Sequence, residues 1–143
     1  MKKTISMFLC CCLFSTVPLA LPAAGEYPLF QNHETIRVQY QARQSGSTSW
    51  ITYSTTLRDA LTESMIRNQL LKRHPGYDVR VLSAAVDGKN VQAAVSCQIR
   101  RGNSSWTTMT ATVYNALTQS MAENQIAARF PGAEVRILSM VVR

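Results

Sequence analysis

Apolar and polar side chains alternate along two stretches of this chain. Ile36, Val38, Tyr40 and Ala42 are interleaved with Arg37, Gln39, Gln41 and Arg43, and Val91, Ala93, Val95, Cys97 and Ile99 repeat the pattern. A period of two belongs to a strand with one buried face. Each stretch runs into a polar turn, Gln44-Ser45-Gly46 or Arg101-Gly102, and then into a run rich in β-branched and aromatic residues, Trp50 to Thr56 or Trp106 to Thr112. That succession predicts a hairpin. Thr56 and Thr112 are then expected to cap helices with apolar positions Leu57, Ala60, Leu61, Met65 and Val113, Ala116, Leu117, Met121. Pro75-Gly76 and Pro131-Gly132 are expected to end them. Val79, Val81 and Val135, Ile137 open a last strand in each half.

The two halves are copies. With Trp50 laid on Trp106, an offset of 56, about half of the positions from Trp50 to Val86 are identical to their counterparts. Ala60/Ala116, Leu61/Leu117, Ser64/Ser120, Met65/Met121, Asn68/Asn124 and Gln69/Gln125 are among them, as is the run Arg73, Pro75, Gly76, Val79, Arg80, Leu82, Ser83. Upstream, Val38 to Arg43 matches Val95 to Arg100 after a one-residue difference in the turn. Two copies are too few for a solenoid, which usually needs three or more stacked repeats.

The expected fold class is α+β: two tandem ββαβ repeats, each an antiparallel three-stranded sheet of order 2-1-3 with one helix on one face. A strand-helix-strand crossover makes the second and third strands parallel, so the third runs antiparallel to the first. A unit of about 55 residues has a marginal core. The two are therefore expected to pack as a pseudo-symmetric pair, sharing a sheet edge or packing helix to helix. Ile66, Leu70, Ala122 and Ile126 lie off the Leu61/Met65 stripe and suggest such a contact.

Export changes the composition. Lys2 and Lys3 precede a nearly unbroken apolar run from Ile5 to Leu21, followed by Pro22 and Ala23-Ala24-Gly25. This is the pattern of a cleaved signal peptide over residues 1–25. Pro18 and Pro22 shorten the run below the roughly 20 residues of a bilayer span, and no later stretch approaches that length, so a soluble periplasmic or secreted product is expected. The organisation then reads as signal 1–25, extension 26–34, first unit 35–86, linker 87–90 and second unit 91–143. Of 15 basic residues, removal of Lys2 and Lys3 leaves 13 against 8 acidic ones, a net of +5. Cys97 is the one cysteine left, on the apolar side of its strand, which points to a buried, inert thiol.

The face opposite the helix carries the candidate contact residues. Strand parity puts Arg37, Gln39, Gln41 and Arg43 there, with Trp50, Thr52 and Ser54 from the second strand and Trp106, Thr108 and Thr110 from its copy. Ile51 and Tyr53, with Thr107 and Met109, would face the core. Setting Arg43 opposite Trp50, and Arg100 opposite Trp106, places guanidinium beside indole. Arg80 and Arg136 join this face, and beyond them it turns apolar with Leu82, Val86, Leu138, Met140 and Val142. The partner-binding set is thus Arg43, Trp50, Thr52, Arg80, Arg100, Trp106, Thr108 and Arg136. The same Trp-Arg pairs also serve simply to stabilise a hairpin. Asn68, Gln69, Asn124 and Gln125 are expected to bond backbone groups where a helix meets a strand end or turn.

Catalytic signals are sparse. His33 and His74 belong to no metal-spaced cluster, and no phosphate loop, nucleophile elbow or carboxylate pair is evident. Neither an enzyme, a metal site nor a cofactor is expected. The composition suits an exported binding protein of the bacterial envelope or medium, contacting a protein through the Trp/Arg/Gln/Thr face or a strand edge. Positive charge also allows an anionic polymer, nucleic acid or acidic glycan, as partner, and free strand edges allow self-association into homo-oligomers.

Overall fold

A computed structural model describes Leu29 and residues 34–86 and 89–143. The segment expected to be a signal peptide, most of the expected extension and Asp87-Gly88 of the expected linker lie outside the described residues. The elements are β1 (Thr35–Gln44), β2 (Ile51–Arg58), α1 (Glu63–Arg73), β3 (Tyr77–Val86), β4 (Gln92–Arg101), β5 (Thr107–Tyr114), α2 (Gln119–Arg129) and β6 (Ala133–Val142). They form two antiparallel three-stranded sheets of order β2-β1-β3 and β5-β4-β6, in tandem, each with a helix packed alongside.

The alternating apolar residues form the inner face as the period demands. Ile36, Val38, Tyr40 and Ala42 are buried on β1, Ala93, Val95 and Cys97 on β4. Ile66, Leu70 and Ala122, Ile126 lie fully buried on the helices. The buried side chains of both units belong to one cluster.

The helix starts differ from expectation. β2 and β5 continue through Leu57-Arg58 and Val113-Tyr114, and the chain then turns at Asp59 and Asn115 with positive φ of 55° and 53°. Asp and Asn tolerate that left-handed conformation better than other residues with a Cβ. The caps are Thr62 and Thr118, whose hydroxyls accept from the Met65 and Met121 amides at 3.2 and 3.1 Å. Leu57 and Val113 are therefore strand residues. With the start moved, the inward stripe is Ile66/Leu70 and Ala122/Ile126, and Met65 belongs to the other side. At the far end Gly76 and Gly132 take φ of 78° and 77°, a region closed to most side chains, as the chain leaves the helix.

A second correction concerns the third strands. Gln39 pairs with Ser83 but Tyr40 with Val81, and Ser96 with Ser139 but Cys97 with Ile137. Leu82 and Leu138 are thus extra residues in β-bulges. One inserted residue reverses the parity of everything after it. Val86, Met140 and Val142 pair with Ile36, Val95 and Ala93, so they lie on the helix side and not on the outer face. Ile51 also departs from expectation: it is exposed, because α1 packs over β3 and leaves the hairpin end of β2 uncovered.

Candidate functional site

The outer face brings the sequence-predicted residues together in two matching ladders. One step beyond the last paired residues of the first hairpin, the Arg43 guanidinium lies 4.5 Å from the Trp50 ring, and Arg80 lies 4.4 Å from the same ring. In the second unit Arg100 and Arg136 lie 4.6 and 4.7 Å from Trp106. Each indole therefore carries two cation–π contacts, the favourable geometry for a guanidinium over a ring quadrupole.

Polar bonds tie the ladder down. Gln41 is buried; its amide oxygen accepts from Arg80 Nε and Nη2 at 2.8 and 2.6 Å, and its nitrogen donates to the Thr52 hydroxyl at 2.9 Å. Arg43 Nε donates to Asp78 Oδ2 at 3.0 Å. Burial first, and then the neighbouring Arg43, lower the pKa of the Arg80 guanidinium. The second unit repeats the frame more loosely: Gln98 reaches the Thr108 hydroxyl at 3.3 Å, and Arg100 bonds Glu134. Arg80 and Arg136 have no carboxylate partner among the described residues. With guanidiniums already on each ring, the tryptophans are held in place more than they are offered for stacking.

The two units meet through α2. This helix packs on its own β6 and also on β3, the edge strand of the first sheet. Asn124 Nδ2 donates to the Val81 carbonyl at 2.9 Å, and Gln125 Nε2 donates to the carbonyls of Leu82 and Tyr114 at 2.8 and 2.7 Å. The Ala84 amide donates to the Asn115 carbonyl at 2.9 Å. Backbone groups that an edge strand leaves unpaired are thus satisfied by the other unit. Near the helix starts the Thr118 hydroxyl donates to the Glu63 carboxylate.

This joint is not reciprocal. Leu82 is 5% exposed, whereas Leu138 at the same place in the second unit is 51% exposed. Met121 on α2 is 0% exposed, whereas Met65 on α1 is 39% exposed. Val141 and Val142 are exposed as well, and a groove of about 660 Å³ runs along Ala133 to Ile137 of β6, walled by Arg80, Trp106 and Glu123. No protein-family model, curated protein or solved structure matches this chain. Its two halves differ from each other: among the described residues, the edge of β3 is occupied and the edge of β6 is open.

Sequence reasoning placed the Arg-Trp pairs and foresaw that the helix amides bond to backbone. Gln69 does so within its own unit, to the Arg58 carbonyl at 3.0 Å, while Asn68 is exposed. What it missed is that Asn124 and Gln125 reach into the other unit. It also missed an aromatic group peculiar to the first unit. The Tyr40 hydroxyl and His74 Nε2 are 2.8 Å apart, with Tyr53 and Tyr77 packed against the imidazole. The mismatched pairs Tyr40/Cys97, Tyr53/Met109, His74/Phe130 and Tyr77/Ala133 were its signal. Among the described residues, no three His, Cys, Asp or Glu side chains are placed to hold a metal ion, and no helix is long and apolar enough to cross a membrane.

Proposed function

We propose that this chain is an exported, non-enzymatic interaction protein of the bacterial envelope or medium, and that it binds a protein partner at the open edge of β6. One observation carries this reading: Leu138 is 51% exposed where Leu82 is 5% exposed. A strand edge with no neighbouring strand among the described residues, beside Leu138, Val141 and Val142, provides main-chain hydrogen bonds together with apolar area, the combination used in recognition at sheet edges. The Arg100-Trp106-Arg136 ladder acts as a rigid wall of this surface.

Affinity capture from envelope extract tests the reading. The wild-type protein should retain a species that Leu138→Lys loses and that Ile51→Lys, an exposed apolar control in the first unit, keeps. Equal capture by all three proteins would refute the assignment.

A second reading, binding of an anionic polymer, is favoured by the convergence of Arg80, Arg100 and Arg136 on the same groove. It requires binding to heparin or single-stranded DNA that weakens steeply with salt and with Arg100→Ala. Glu123 and Glu134 line that groove too, which favours a protein partner over a polyanion.

A further inference from the structure

The internal joint is a template for what the open edge binds. We propose that the partner at β6 is the α1 helix of a second copy of this chain, docked as α2 docks on β3, so that copies assemble head to tail. This rests on the assignment of the β6 edge as the contact surface and names its occupant.

The argument is residue by residue. α2 reaches the first unit through Asn124 and Gln125, with the fully buried Met121 one turn before them, and α1 has Met65, Asn68 and Gln69 at those places. Met65 and Asn68 are exposed. Gln125 uses its amide nitrogen twice, for Tyr114 of its own unit and Leu82 of the other; Gln69 repeats the first bond, to Arg58, with the equivalent of the second lying at Leu138. On the receiving side, Leu138 takes the place of Leu82 in the same bulge and is exposed, and the strand leading to it, Ala133 to Ile137, lines a groove walled by Gln119, Glu123 and Asn124 of α2 and by Arg80. The bond from Thr118 to Glu63 has its counterpart in Thr62 of the incoming helix and Gln119, whose amide oxygen is an acceptor like the carboxylate it replaces.

The internal joint uses different surfaces on its two sides. An interface of that kind between copies leaves one free surface at each end, so growth stops only if the rotation closes a ring.

Sedimentation of the protein purified after export decides the matter. Wild type should pass through dimer, trimer and larger species as concentration rises. Met65→Glu and Leu138→Lys should each loosen association about tenfold or more, from loss of apolar burial. Mixed in equal amounts, the two variants should form a dimer that grows no further, because each keeps the surface that the other lacks. Both positions are substantially exposed in the single chain, so unchanged far-ultraviolet circular dichroism is expected for both variants.

A wild-type monomer at millimolar concentration overturns the proposal. So does a dimer that Leu138→Lys abolishes and Met65→Glu leaves intact, which would indicate edge-to-edge pairing. A persistent monomer that still captures a foreign protein through Leu138 overturns the second copy as occupant but leaves the contact surface standing. A monomer that captures nothing removes both.

Discussion

Leu82 and Leu138 sit in the same bulge of the same strand in two copies of one unit, and only the first is covered. The difference arises from the order of the units along the chain. The second unit supplies a helix to the first, and among the described residues the edge of β6 receives no such helix in return. The helix surface that made the match is left over at the other end, on α1.

The two equivalent methionines should differ in their effect on stability. Met121→Ala empties a fully buried position on the helix that makes the joint and is expected to cost about 2 to 4 kcal/mol. Met65→Ala acts on an exposed side chain and should stay within about 1 kcal/mol. Urea unfolding at low protein concentration measures both, and equal losses would contradict the one-sided joint.

Arg80 should matter more than its partial exposure suggests. Arg80→Ala leaves the buried Gln41 amide oxygen without its two donors and takes one cation from the Trp50 ring. The expected loss is about 1.5 to 3 kcal/mol, the range for a hydrogen bond to a charged group. Arg43→Ala breaks a more exposed pair with Asp78 and should cost about 1 kcal/mol or less. Thermal melts of the two variants compare them directly.

Alkali should destabilise the first unit through Tyr40. Burial raises the pKa of this phenol above its ordinary value of 10.0, with Arg73 opposing the shift. The folded state therefore holds the phenolic proton more tightly than the unfolded state does. This contribution is fully present below about pH 10 and is lost as pH rises from there through the folded-state pKa. Urea midpoints at pH 9 and pH 11 should fall further for wild type than for Tyr40→Phe; parallel falls would contradict the assignment.

Cys97 should be chemically silent in the native protein. Its thiol is buried and unpaired, and burial raises its pKa. Only the thiolate reacts readily. A disulfide reagent at pH 8 should label it slowly, with labelling accelerating at the urea concentration that unfolds the protein. Rapid native labelling would show that the inner face of β4 is open.

Much of the architecture was legible because strand periodicity and duplication are local signals. Ile36 to Ala42 alternate cleanly, and the Trp50/Trp106 match fixes the same elements twice. The Arg43-Trp50 register followed from the hairpin turns. The helix starts did not follow, because Thr56 and Thr62 are both plausible caps and only the left-handed turn at Asp59 separates them. The bulges at Leu82 and Leu138 left no compositional trace, so parity failed for Val86, Met140 and Val142. The reach of Asn124 and Gln125 into the first unit was invisible for a different reason: identical residues in α1 do something else. Which copy a helix docks on depends on chain order and not on side-chain type.

A photo-reactive benzophenone side chain at position 65, in an equal mixture of isotopically light and heavy copies, tests the central claim most directly. Illumination at a concentration where assemblies form should yield mixed-isotope products joining position 65 of one copy to the segment Ile137 to Val142 of another. Mixed-isotope products confined to α1 against α1, or none at all, would contradict a chain whose open strand edge receives the helix of the next copy.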